Sequence, residues 1–314
     1  MKQYPGMNIP ALARTRAPLW GFDETGEPNA LTESAKVWWV YGIDGGIGVD
    51  TNHGQTPQSP FLTLTKALSM CVDSQQDYIV VMDYWQPTGE TWPINVDVDN
   101  VHIIGADGAG TQMPIITPTG DTEGVLIAAN RVEIANLAIN GGATHGCIQN
   151  DATAGAARWG LLVRDCWFGV LGSAQDGIRN VTPGDNVYLT VERCTFGTGL
   201  TRDGIRIEHN ATRGMIGSPW GDGNLFDQVA GIGVNVVGVN PAQLGIFNNT
   251  FVVAANTAGG AVTLIATSTL FKIFGNVANF GDTDMAANPY VDAAAAGTNH
   301  WGMNYQGITL VQPA

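Results

Sequence analysis

Asp176-Gly177-Ile178-Arg179 is followed by Asp203-Gly204-Ile205-Arg206, then by Gly231-Ile232-Gly233-Val234 and Gly260-Ala261-Val262-Thr263-Leu264, with leading glycines stepping by 27, 27 and 29 residues. A second series lies between these segments: Val132–Ile139, Val163–Phe168, Leu189–Phe196 and Leu244–Phe251. Its closing residues, Ile139, Phe168, Phe196 and Phe251, step by 29, 28 and 55. The double step is filled by Asn224-Leu225-Phe226, after an inserted loop, Ser218–Gly223. Two interleaved series of short alternating segments on one shared period describe a single supersecondary unit stacked on copies of itself. The chain is expected to be a solenoid.

The residue types select the kind of solenoid. The apolar positions alternate with period 2, are β-branched or aromatic, and are separated by Gly and Asn turns rather than helical stretches. A propeller needs about four strands per 40–50 residues, whereas two or three fit in each period here. Parallel coils remain, each strand bonded to its counterpart one turn along. Ahead of them, Pro60–Cys71 places apolar residues at 61, 64, 67, 68 and 71, the spacing of an amphipathic helix that would plug the open end of the core. Tyr78–Met82, Trp92–Val96 and Val101–Gly105 make the first turn.

Composition agrees and excludes other classes. Gly accounts for 41 of 314 residues, without a three-residue period, and charged residues for 13%; 44% hydrophobic residues with nine Trp argue against disorder. The net charge of −14 would repel a nucleic-acid duplex or an anionic lipid surface, so neither nucleic-acid binding nor membrane insertion is expected. No export leader is expected near Met1, and no segment approaches 18 consecutive apolar residues. Cys71, Cys147, Cys166 and Cys194 form no Cys-x-x-Cys pair and are read as reduced thiols.

Gly42-Ile43-Asp44-Gly45-Gly46, Asp50-Thr51-Asn52-His53-Gly54, Pro60-Phe61-Leu62-Thr63-Leu64 and Tyr78–Met82 resemble the opening of right-handed parallel β-helix proteins of the pectin-lyase-like superfamily, a resemblance covering roughly residues 40–280. It implies an all-β, single-stranded right-handed parallel β-helix, a fold that serves polysaccharide lyases, glycoside hydrolases, bacteriophage tailspikes and virion decoration or turret proteins. Homotrimers are implied by the resemblance alone. The expected organisation is an extended anchoring arm (1–38), a capping segment with the helix (39–76), the β-helix (77–281) and a carboxyl-terminal cap or exchange segment (282–314). In the arm, Ile9, Leu12, Leu19, Trp20 and Phe22 are scattered between prolines and are the expected anchors on a partner chain.

The candidate chemistry centres on Asp176 and Asp203. Equal positions on successive coils sit about 4.8 Å apart, and two carboxylates that close split their pKa values, as an acid and a base require. Arg206 and His209 lie nearby in sequence. The competing reading is a turn ladder in which each Asp caps backbone N–H groups and each Arg neutralises a neighbour. The Asn-Thr-Asp, Asp-Asp and Gly-His-Gly set that the resemblance implies for polygalacturonase-like enzymes does not occur; Thr144-His145-Gly146 is the nearest approach. Asp44, Asp50 and Asn52, or Asp97, Asp99 and Asn100, offer oxygen ligands without the spacing of a calcium loop, and no metal or other cofactor is expected. Cys166 and Cys194 are 28 apart and are expected to stack inward, while Trp167 should point outward.

Together these features favour a virion structural protein, a capsid decoration or turret protein assembled with capsid or other virion proteins and displayed on the particle. The alternatives are a tailspike-type depolymerase of host surface polysaccharide, using Asp176, Asp203, His209 and Arg206, and a glycan-binding module without catalysis.

Overall fold

The computed structural model describes residues 35–106, 113–150, 158–181, 186–208, 211–238, 242–253, 260–280, 289–295, 297–306 and 309–311. The expected anchors Ile9, Leu12, Leu19, Trp20 and Phe22, and also His209, lie outside this set. Among the described residues, strands form three sheets of ten, nine and eight strands, visited in that order on each turn to give about seven coils of a right-handed parallel β-helix.

Each sheet contributes one unbroken row of inward side chains. In the ten-stranded sheet the row runs Trp38, Ile79, Ile103, Ile134, Val163, Val191, Ile216, Ile246, Ile273, Trp301. The eight-stranded sheet supplies Ile94, Val125, Ile148, Ile178, Ile205, Val234, Val262 and Tyr290. In the nine-stranded sheet Phe168, Phe196, Phe226 and Phe251 stack at centroid separations of 4.9, 4.6 and 4.6 Å. Strand spacing sets ring spacing, so identical residues at one repeat position form a continuous offset stack. Gly177, Gly204 and Gly233 face those rings; a Cβ at any of them would come within 2.5 Å of a phenyl carbon.

The second repeat series is two strands rather than one, broken at a residue of left-handed backbone. Asn136, Asp165, Arg193 and Asn248 have φ of 52–54° and turn the chain from the ten-stranded to the nine-stranded sheet. The next residue points inward: Leu137, Cys166 and Cys194 in the earlier coils, Asn249 after Asn248. Asn224, Asn249, Asn276 and Asn304 then form a ladder, each amide nitrogen donating to the Oδ1 of the next at 2.9 Å and to a strand carbonyl.

The opening differs from the expectation in extent. The helix spans only Leu64–Leu68, because Phe61 is drawn into a β-bridge with Val40 and Thr63 caps the first turn. Asp50 accepts from the Leu62 and Thr63 amides, and Glu90 from those of Leu64 and Thr65, fixing the plug over the core. Val37–Gly42 already pairs with Tyr78–Tyr84, and at the other end the coil runs past 281 through Tyr290–Asp292, His300–Gly302 and Asn304–Gln306 before Thr309–Val311 turns back antiparallel. Among the described residues, no helix is long and apolar enough to cross a membrane.

Candidate functional site

The eight-stranded sheet brings the expected residues together. Asp176 pairs with Asp203, and Arg179 with Arg206, in register on adjacent strands. A register shift interrupts the pairing between Ala174 and Asp176, and both carboxylates are buried near the register row Gln149, Arg179, Arg206 and Asn235.

Every carboxylate in this cluster is already held. Asp176 is fully buried and accepts from Arg202, with Nε at 2.8 Å, and from the backbone N–H of Asp203 at 3.2 Å. Asp203, also buried, accepts from Arg206 at 2.8 Å, from the Asn235 side chain at 2.9 Å and from the Ile232 amide at 3.0 Å. Glu208 receives Arg206 at 2.7 Å and Arg179 at 3.1 Å. Three arginines thus face three acids. Burial raises the Asp176 carboxyl above the ordinary aspartate value, with Arg202 opposing and the Asp203 charge adding to the rise. For Glu208 burial acts upward, but the bonds from Arg206 and Arg179 outweigh it and hold the carboxyl low.

A second buried polar chain lies on the outer side of the ten-stranded sheet and had no sequence signal beyond its 31-residue steps. His102 Nδ1 lies 2.6 Å from Glu133 Oε2, Arg164 donates to Glu133 Oε1 at 2.6 Å and to Asp165 at 2.9 Å, and Arg193 donates to Asp165 at 2.7 Å. Burial raises Glu133, yet His102 and then Arg164 pull it below its ordinary value. Tyr78 stacks on the His102 ring at 4.4 Å, and burial, followed by the Glu133 charge, raises its phenol.

The acidic residues considered for calcium cap turns. Asp44 binds Thr88, Asp50 the helix entry, and Asp99 the amide and side chain of Asn130. Among the described residues, no group of three or more His, Cys, Asp or Glu is arranged to hold a metal ion. Cys166 and Cys194 are buried free thiols, and desolvation, followed by the neighbouring Cys166, raises Cys194.

Aromatic side chains, in contrast, stand on the outside. Trp220, on the inserted loop, is 84% exposed, Trp159 50% and Trp167 45%; Trp159 meets Tyr188 at 6.2 Å. Phe274 is 37% exposed on the outer face of the ten-stranded sheet.

A family described as "Protein of unknown function (DUF1565)" matches residues 46–160, from ahead of the plug to the start of the strand Arg158–Arg164. No curated protein matches the chain. Among solved structures, the chain is similar to the crystal structure of a GH136 lacto-N-biosidase from Eubacterium ramulus, in its selenomethionine form, with a TM-score of 0.44 and 12% identity over 87% of this chain and 67% of that one.

Proposed function

We propose that this β-helix recognises saccharide without cleaving it, in the manner of a displayed surface protein. The observation that carries the reading is the set of aromatic faces on the outside of successive coils, Trp159 with Tyr188, Trp167, Trp220 and Phe274. Aromatic faces at solvent are the groups on which sugar rings stack, because the C–H face of a pyranose matches a flat apolar surface carrying a negative quadrupole. The closed state of the acids supports the absence of cleavage: a general acid or base must reach substrate, and Asp176, Asp203 and Glu208 are each occupied by arginine.

The virion setting belongs to the same proposal. A solenoid that presents saccharide-binding faces along its length suits a capsid decoration or turret protein contacting a host surface polysaccharide. Quantitative mass spectrometry of purified particles tests that setting: tens to hundreds of copies support decoration, a handful supports a tail spike, and absence removes the virion reading.

One observation favours a depolymerase as the second reading. The Asp176 carboxyl, raised by burial and set in register beside Asp203, has the polarity of an acid beside a base. A glycan array read alongside a reducing-end assay separates the two. Binding without product supports recognition. Product formation that Asp203→Asn abolishes overturns it in favour of the depolymerase, and no binding to any glycan overturns recognition.

A further inference from the structure

We infer that the last coils of the ten-stranded sheet form a binding site for an acidic saccharide, a sugar ring bearing a carboxylate or a sulfate; this rests on the saccharide-recognition reading and names its place and ligand class. The outer face there carries a solvent-open hollow of about 430 Å³, within the range of ~300–1,000 Å³ usual for small-ligand sites. Gly245, Phe247, Leu270 and Gln243 line it together with Lys272 and His300.

Two phenyl rings lie against glycines on this face, Phe247 lining the hollow and Phe274 one coil along from it. A Cβ at Gly245 would sit 2.1 Å from the Phe247 ring, and a Cβ at Gly302 would sit 2.5 Å from the Phe274 ring, so each ring occupies the space that a side chain would fill. Phe247, Phe274 and Gly302 are register partners on three successive strands. The glycines let the rings rest against the backbone, and Phe274 keeps over a third of its surface at solvent.

Beside the rings stand two N–H donors with nothing to hold. Lys272 and His300 are register partners, both exposed, and among the described residues neither has an ion pair or a side-chain hydrogen bond. Arg164, Arg179, Arg193, Arg202 and Arg206 all bind carboxylates, whereas Lys272 and His300, like Lys36, Lys66, Arg131 and Arg213, have no ion pair among the described residues. Among the described residues that line the hollow there is no acid. An ammonium and an imidazole lining an acid-free hollow together with the Phe247 ring complement a sugar ring carrying one anionic group. Gln243 and Leu270, both lining the hollow, hold left-handed backbone, φ 61° and 59°. Backbone strain of this kind persists where its surroundings over-determine it.

The test is calorimetric titration of the full chain with three probes of equal length: a uronic-acid hexasaccharide, a sulfated hexasaccharide and neutral cellohexaose. The wild type is expected to prefer an acidic probe, the preferred one identifying carboxylate or sulfate as the anionic group. The exposed double variant Lys272→Gln/His300→Gln should bind it about tenfold or more weakly, as loss of charge-assisted bonds requires. Phe274→Ala should weaken both acidic and neutral probes, with circular dichroism unchanged. Unaltered affinity of the double variant for the acidic probe overturns this site and leaves saccharide recognition standing. So does binding of cellohexaose alone, indifferent to all three substitutions. Failure of all three probes, with a blank glycan array, removes the site together with the reading on which it rests.

Discussion

The outer face of the eight-stranded sheet and the outer face of the last coils of the ten-stranded sheet carry N–H donors in opposite circumstances. On the first, Arg179, Arg202 and Arg206 meet Asp176, Asp203 and Glu208, and each acid is occupied. On the second, Lys272 and His300 face solvent beside Phe247 and Phe274 with no acid in reach among the described lining residues. The contrast separates charge that holds a solenoid together from charge available to a ligand. In-register stacking brings like residues within about 5 Å, so a repeated Asp must be compensated at every coil or the coils repel. A cation that recurs without its acid serves no such purpose.

The largest expected effect comes from breaking the compensated face. Asp203→Ala strands the Asn235 amide and the Ile232 N–H and leaves Arg206 on Glu208 alone; urea unfolding should report a loss of about 3–5 kcal/mol. A loss below about 1 kcal/mol would mean that the network is ornamental. Next in size is the pH dependence of Asp176. Its carboxyl is raised in the folded chain, so the folded state binds the proton more tightly, and stability falls as pH rises from the ordinary aspartate value through the raised one. Asp176→Asn should flatten that fall, as measured by unfolding midpoints between about pH 3.5 and 7.

Glu208 sharpens the comparison with the opposite sign. Held low against its own burial by Arg206 and Arg179, it contributes stability that is present above the ordinary glutamate value and is lost as pH falls below it. Glu208→Gln should cost about 1 kcal/mol at neutral pH and reduce the acid-side slope. The smallest effect belongs to the open face. Lys272→Gln and His300→Gln should change stability by less than about 0.5 kcal/mol while weakening the acidic saccharide. A large stability loss there would assign these residues to the fold and erase the contrast.

Much of the compensated face was legible in the sequence, because a 27-residue step between two Asp-Gly-Ile-Arg segments becomes register once strands are parallel. The third sheet was not, since Asn136, Asp165 and Arg193 break Val132–Ile139 and its counterparts by backbone dihedral alone, and nothing in those residue types requires φ above zero. The helix was over-read for a related reason: apolar spacing continued through Pro60-Phe61, but the bridge to Val40 took Phe61 into the sheet edge. The asparagine ladder at 224, 249, 276 and 304 had a visible period, hidden among many other Asn. Lys272 and His300 are one coil apart, as are Phe247 and Phe274. Yet what distinguishes the two donors is the missing acid, a property of neighbours that no spacing within one segment contains.

The most direct test is a crystal structure of the full chain soaked with whichever saccharide the array identifies. An intact chain of sugar rings stacked over Phe247 and Phe274, with an anionic group at Lys272 and His300, is the predicted result. A ligand seated over Asp176 and Asp203, or cleaved there, would contradict the account and make the compensated face the working one.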